Sequence, residues 1–183
     1  MIIPLNKTHF AAVITLGNLV HGAGYLDSET LDHIVNLGQK HGINSCFVAI
    51  EQGELLGFRL CYAAGQWPID KWCSVSDWSV EPKNVAYFKC NTIAEQARGK
   101  GLGGQLLTAS VLALTEQGAV AGVSHLWKQS PHNAAVKYFS KAGGQLIKEH
   151  PQRWNNTVEH PDYVCNLCGP NCQCAACEML LMF

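Results

Sequence analysis

Apolar positions recur along this chain in two rhythms that alternate in blocks. Ile2 to Leu5 is a short apolar run, and Pro4 confines it to a sheet edge or a strand start. From Thr8 to Val20 the residues Ala11, Ile14 and Leu19 fall among the apolar positions of a helix, with Thr8 placed as its N-cap. His21-Gly22-Ala23-Gly24 breaks that helix. A second one, capped by Asp27 or Ser28, carries Leu31, Ile34, Val35 and Leu37 and ends within Gly38 to Gly42. Cys46 to Ile50 and Leu55 to Ala64 are strand-like runs, and Glu51-Gln52-Gly53-Glu54 between them is a hairpin signal.

Gly65 to Asn84 is less regular and holds Trp67, Trp72 and Trp78 among prolines and charges. Three large rings are rarely all left in water, so this segment is expected to be a flap covering the edge of the core, ahead of an aromatic wall for a substrate or a dimer contact. Val85 to Ala94 predicts another strand. The helix after it places Leu102, Leu106, Ala109 and Ala113 on one stripe and stops at Gly118. Val120 to Trp127 reads as a strand, His132 to Lys141 as a helix opened by Ser130-Pro131, and Gln145 to His150 as a strand. A last strand is expected near Asp162 to Leu167. The order β-α-α-β-β-β-α-β-α-β predicts an α/β (α+β) fold with a mixed, mostly antiparallel sheet flanked by helices.

Composition narrows the picture. With 183 residues, 48% of them apolar, the chain suffices for one domain with a full core. A net charge of −1 and the lack of a basic block disfavour nucleic acid as a partner. No apolar run approaches membrane-spanning length. The start, MIIPLNKTHF, lacks the features of a secretion signal, so a cytoplasmic location is expected. In that compartment the nine cysteines would be thiols or metal ligands rather than disulfides.

The chemistry centres on residues 93–107, IAEQARGKGLGGQLL, where a strand turns into a helix. A glycine-rich turn at a helix start leaves several backbone N–H groups free to face one anion, and the helix dipole favours negative charge there. A phosphate, more specifically a diphosphate, suits such a turn. The P-loop string GxxxxGK[ST] does not occur. Gly99, Gly101 and Gly104 match the dinucleotide fingerprint in letters only, because the loop lies mid-chain and Glu116 falls inside the following helix. What fits is R-x-x-G-x-G, as Arg98-Gly99-Lys100-Gly101-Leu102-Gly103. With Ile93-Ala94-Glu95 before it, the stretch resembles motif A of the GNAT superfamily, the acyl-CoA-dependent N-acyltransferases, and the element order over about residues 1–165 is similar to that fold.

The resemblance implies acetyl-CoA as cosubstrate. Its pyrophosphate would be held by Arg98, Gly99, Lys100, Gly101, Leu102 and Gly103, with Gly104 assisting. A main-chain N–H in the stretch Ile93, Ala94 and Glu95 would polarise the thioester carbonyl. The family's second motif implies Asn133 for the pantetheine arm and Tyr138 as the acid that protonates the departing thiolate. Counting back four from Gly143 lands on Phe139, and neighbouring helix positions point about 100° apart, so a packing role for Tyr138 stays open beside the acid role. No carboxylate lies on the motif A strand to act as general base; it offers Tyr87, Cys90 and Asn91. His125 on the next strand titrates in the useful range, although a lone histidine on an apolar strand is more often structural. Water is the remaining acceptor.

Five cysteines crowd the last nineteen residues: Cys165, Cys168, Cys172, Cys174 and Cys177, spaced C-x2-C-x3-C-x-C-x2-C. They lie outside the GNAT pattern. Two C-x2-C pairs joined by a short Gly-Pro turn can gather thiolates round one tetrahedral zinc ion, which takes four and leaves the fifth spare or shared. An iron–sulfur cluster or Cu(I) also suits soft thiolates. His150 and His160, each in a Glu-His-Pro triplet, are candidate extra ligands; free thiols or oxidation-induced disulfides are the plain alternatives. Residues 1–164 are therefore expected to form the acetyltransferase-like domain and 165–183 a cysteine-rich, metal-binding tail. Its apolar end, Met179 to Phe183, is expected to dock on the sheet or against a second subunit, which leaves a homodimer open.

The leading expectation is an N-acetyltransferase moving acetyl from acetyl-CoA to a primary amine, on a small molecule or a peptide, by direct attack in a ternary complex. The alternative is a metal-sensing protein that keeps a CoA-binding scaffold. An acyl-tRNA-modifying toxin of the same superfamily is disfavoured by the near-neutral charge.

Overall fold

The computed structural model describes residues 1–155 and 164–183. Strand β1 (Ile2–Pro4) lies at the sheet edge, where the missing N–H of Pro4 does least harm. Asn6, not Thr8, caps the entry to the first helix: its side chain accepts from the Thr8 amide at 2.9 Å. The Thr8 hydroxyl is itself spent on the same Asn6 oxygen. A 3-10 turn (Lys7–His9) then runs into α1 (Phe10–His21). Asp27 caps α2 (Ser28–Leu37) through the Thr30 amide at 2.7 Å. The stretch expected only to stop α2 forms a small hairpin, β2 (Gln39–Lys40) with β3 (Ile43–Asn44). The pair β4 (Phe47–Glu51) and β5 (Glu54–Tyr62) is joined by the predicted turn, with positive φ at both Gln52 and Gly53 as a tight hairpin needs.

The later half is built from β6 (Val85–Ile93), α3 (Leu102–Glu116), β7 (Ala121–Trp127), α4 (Ala134–Lys141), β8 (Gln145–His150) and β9 (Ala176–Met182). The main sheet has seven strands in the order β1-β4-β5-β6-β7-β9-β8. Only β6 and β7 are parallel, so the sheet is mixed and mostly antiparallel, as expected. No helix among the described residues is long and apolar enough to cross a membrane.

Two features of this sheet position the site. First, β6 and β7 pair only through Val85–Tyr87 and Ala121–Val123, and beyond that they part. Second, the register of β5 on β6 shifts between Leu60 and Cys61, which leaves Lys89 as an extra residue on β6. Phe88 and Cys90 therefore serve different cores. Phe88 packs with Leu107, Leu114 and Phe139 beside α3 and α4, whereas Cys90 joins the core under α1 and α2.

The boundary at 164/165 needs correction. Residues 176–182 are not part of an appendage; they form β9, inserted between β7 and β8. Six of its seven residues are buried, so the run reads as an interior strand carrying a single charge, Glu178. The strand expected near Asp162 to Leu167 lies partly outside the described residues; within them Cys165 and Gly169 form a single bridge. The tryptophan segment behaves as a flap. Trp78 is fully buried against Val85, Ala121, Val123 and Leu180, and Trp67 donates its indole N–H to the Val85 carbonyl at 2.8 Å.

Candidate active site

Glycine shapes the turn between β6 and α3. Gly99 and Gly101 both sit at φ +77, a conformation in which a side chain is strained, and Gly101 is the N-cap of α3. The first intrahelical bond is Gln105 N–H to the Gly101 carbonyl at 3.1 Å. Among the described residues, the amides of Gly99, Gly101, Leu102, Gly103 and Gly104 have no hydrogen-bond partner. A Cβ on Gly99, Gly101 or Gly104 would meet nothing within 4 Å, so these amides open onto solvent-accessible space. Arg98 and Lys100 are exposed beside them. Five amides and two cations on one turn form an anion cradle that fits a diphosphate. Ala94 is different: its amide already donates to the Leu56 carbonyl at 2.9 Å, so it is not free to polarise a thioester. Ile93 and Glu95 flank it, and their carbonyls accept from the Arg98 side chain and amide, respectively.

The α4 side of the parted strands carries Tyr138. Its hydroxyl accepts from a guanidinium N–H of Arg59 at 2.8 Å. Arg59 is 1% exposed and lies over the Phe88 ring, 4.5 Å from its centroid. Phe139, the competing position, is fully buried against Phe88 and anchors α4 to the sheet; burying a ring of that size contributes about 2–3 kcal/mol. Asn133 does not lie inside a helix as expected. It and His132 both adopt φ 55, a left-handed kink ahead of α4. Its buried Oδ1 has no hydrogen-bond partner, and neither does the buried Oδ1 of Asn91 on β6. Such orphaned acceptors suit an arm with amide N–H groups to give. Arg59 was not singled out in the sequence, although an arginine inside the apolar run Leu55 to Ala64 is itself a signal.

Comparison with known proteins agrees with this fold. The acetyltransferase (GNAT) family model matches residues 18–144. The chain belongs to the acetyltransferase (GNAT) family. A mycothiol acetyltransferase from Corynebacterium aurimucosum is 38% identical over 58 residues, which is 32% of this chain but only 18% of that relative. The fold superposes on the ribosomal-protein-S18-alanine N-acetyltransferase of Escherichia coli with a TM-score of 0.65 at 14% identity, covering 100% of this chain and 92% of the other. It superposes on Arabidopsis thaliana Naa50, solved with the bisubstrate analogue CoA-Ac-MVNAL, with a TM-score of 0.66 at 13% identity, covering 100% and 98%. This GNAT-family chain sets the glycine turn between β6 and α3, and Tyr138 on α4.

Two further clusters lie in this GNAT-family chain. The Sγ atoms of Cys165, Cys168, Cys172 and Cys174 all lie within 4.8 Å of one another. Four of these separations are 3.8, 4.0, 4.0 and 3.3 Å. Sulfurs round a tetrahedral zinc, each about 2.3 Å from the ion, stand about 3.8 Å apart, whereas a disulfide needs about 2.05 Å. A hydrogen bond from the Gln173 backbone holds the Cys168 thiol below the usual thiol range. Cys177, expected as a ligand from the second C-x2-C pair, instead packs on β9 with Phe88 and Met179, because the strand carries it away from the knuckle, and Cys172 takes its place beside Cys174. His160 lies outside the described residues.

The knuckle touches α1. Asn166 donates to the Val20 carbonyl at 3.0 Å, and a Cβ on Gly22 would lie 2.2 Å from the Val164 carbonyl oxygen. Only glycine permits that approach, at φ +120.

The second cluster is His125, His150 and Glu178, beneath the tryptophan flap. His150 is thus a partner of Glu178, at 2.9 Å, rather than of the knuckle. His125 donates from Nε2 to the Trp72 carbonyl at 2.7 Å, which leaves Nδ1 to accept from the Tyr87 hydroxyl at 3.0 Å. Burial pushes its pKa down and keeps the ring neutral. With both nitrogens committed, it holds the flap in place and is not free to serve as a base.

Proposed function

We propose that this acetyltransferase moves the acetyl group of acetyl-CoA to a primary amine by direct attack in a ternary complex. The observation that carries the reading is the cradle of unpaired amides at Gly99 and Gly101 to Gly104, set at the mouth of parted strands that present Tyr138. The cradle, with Arg98 and Lys100, would hold the pyrophosphate, and Asn133 and Asn91 would accept from the pantetheine arm. Tyr138 would give its proton to the departing CoA thiolate. Arg59 occupies one lone pair of the hydroxyl, so its hydrogen points elsewhere, and the guanidinium balances the charge left behind. The acceptor is a peptide N-terminus or a small amine; the Escherichia coli and Arabidopsis neighbours support the first, the Corynebacterium relative the second.

The four-cysteine knuckle supports a structural zinc ion in the same protein, held by Cys165, Cys168, Cys172 and Cys174. A protein whose nine cysteines are all unpaired suits the reducing cytoplasm. The metal-sensing reading, on a scaffold that still binds CoA, is favoured by the knuckle alone and would leave Tyr138 without a role in transfer.

The test is a thermal shift with acetyl-CoA followed by acetylation of a panel of alanyl, seryl and methionyl peptides and amino sugars. Acetyl-CoA is expected to raise the melting temperature of the parent and of Tyr138→Phe, but not of Gly101→Val, whose side chain strains the turn. Tyr138→Phe should lower kcat by about 100-fold. Equal turnover in parent and Tyr138→Phe removes Tyr138 from the mechanism, and no acetyl-CoA effect in the parent overturns the reading.

A further inference from the structure

We propose that Cys90, paired with His21, is the group that takes the proton from the attacking amine. The inference rests on the acetyl-transfer reading above and assigns the role for which the sequence offers no carboxylate. The register shift at Lys89 turns Cys90 to the α1 face of β6, away from Phe88 and the α4 core that Tyr138 adjoins. Cys90 also stands just beyond the point where β6 and β7 part. A thioester held between the parted strands would then have an acid on one face and this pair on the other.

His21 Nε2 lies 2.8 Å from the Thr92 hydroxyl and 3.5 Å from the Cys90 sulfur, and the sulfur lies 3.1 Å from Thr92. The Tyr25 ring packs against the imidazole, tilted by 35°, with centroids 4.4 Å apart. His21 is the last residue of α1, where the helix dipole favours a cation. The ionisable groups facing Cys90 are His21 and Tyr25 from α1 and its following turn and Cys61 from β5. Burial pushes the Cys90 thiol up, but His21, Thr92 and Tyr25 outweigh it and hold the thiol below its usual range. The other candidates are spent: His125 and Glu178 are fully hydrogen-bonded under the flap. The knuckle contacts at Val20 and Gly22 bracket the His21 backbone.

The proton balance closes. As the amine nitrogen bonds the acetyl carbon and the carbon–sulfur bond of the thioester breaks, the original ammonium nitrogen loses two protons. One replaces the proton that Tyr138 gives to the CoA sulfur. The other passes to the Cys90–His21 pair, which goes from one shared proton to a thiol and an imidazolium, and half-buried His21 releases it to solvent.

The test uses the full, metal-loaded chain as parent, Cys90→Ser and His21→Asn, with Cys90→Ala where serine impairs folding. Ultraviolet thiolate absorbance, parent minus Cys90→Ser, should show a transition below the ordinary thiol value of about 8.5, and His21→Asn should move it up. With the peptide and amino-sugar panel, Cys90→Ser should lose about 100-fold in turnover at neutral pH and recover as pH approaches the pKa of the amine, while its acetyl-CoA thermal shift is unchanged. Turnover within twofold of the parent in both variants, with the thermal shift intact, overturns the proposal and leaves acetyl transfer standing. An acetyl group found on Cys90 after incubation with acetyl-CoA alone also overturns it, because the sulfur is then a covalent carrier. Absence of any acetyl-CoA effect in the parent fails the underlying reading instead.

Discussion

The cysteine knuckle and the His125–His150–Glu178 cluster are alike in composition of donors and opposite in what those donors are doing. In both, the candidate ligand atoms lie within 4.8 Å of each other. Beneath the flap every such atom is committed. Glu178 Oε1 accepts from the Ser74 amide and the Trp78 indole, both at 2.8 Å, Oε2 from His150, and His125 bridges Trp72 and Tyr87. In the knuckle the thiols face chiefly one another, at separations near those of a zinc tetrahedron. Proximity of donors is therefore a weak criterion for a metal site. Unspent lone pairs are the stronger one, since a bound ion must replace whatever the donors already hold.

The largest expected effect breaks the comparison if it fails. Cys168→Ser, or Cys172→Ser, should take zinc content, read by elemental analysis of the purified protein, from one per chain to near none. Structural zinc sites of this type bind with about 10–16 kcal/mol, so the melting temperature should fall as well. The contacts at Val20 and Gly22 should loosen, which hydrogen exchange at the end of α1 would record. Full zinc content in both variants would move the ion elsewhere and remove the distinction between the two clusters.

Much of this contrast was legible in the sequence, and the illegible part has a common cause. The spacing of the five tail cysteines announced a thiolate site because ligands close in sequence need little fold to bring them together, but it did not show that Cys172 joins the cluster and Cys177 leaves it. The glycine turn was legible for the same reason. The His125–His150–Glu178 network joins three strands and a flap, and nothing local marks it. Strand β9 was missed because cysteine crowding drew the boundary at residue 165, although Ala176 to Met182 is an apolar run of strand length. Its single carboxylate, Glu178, carried the hint, since a charge in a buried strand must find partners. The pairing of Cys90 with His21, and of Arg59 with Tyr138, depends on register and could not be read from spacing.

Glu178→Gln probes the other side of the comparison with an intermediate effect. The amide keeps the shape but gives up the charge that three donors serve, and charged hydrogen bonds are worth about 1.5–3 kcal/mol each. A net loss of about 3 kcal/mol, or roughly 6–12 °C in melting temperature, is expected with zinc content unchanged. Loss of zinc in this variant would show that the two clusters are not independent.

The smallest effect is the pH dependence, and the variant background in which it persists separates the clusters. Burial pushes the Glu178 carboxyl up, but hydrogen bonds from His150, Trp78 and Ser74 outweigh it and hold the group below the usual carboxylate range. Burial also pushes His125 down. Both are depressed in the folded chain, so each contributes stability that is full above its unfolded value and is lost as pH falls through the folded one. The urea midpoint should therefore decline in two stages on acidification, first below about 6.5, where unfolded histidine gains a proton that folded His125 refuses, and again below about 4.3 for Glu178. Thiolate ligands also release metal in acid, which would add a third decline. Measuring in the Cys168→Ser background removes that term. Two stages that persist there belong to the hydrogen-bonded cluster, and the second should vanish when Glu178→Gln is added. Stages that disappear with Cys168→Ser alone would instead assign the acid sensitivity to the knuckle.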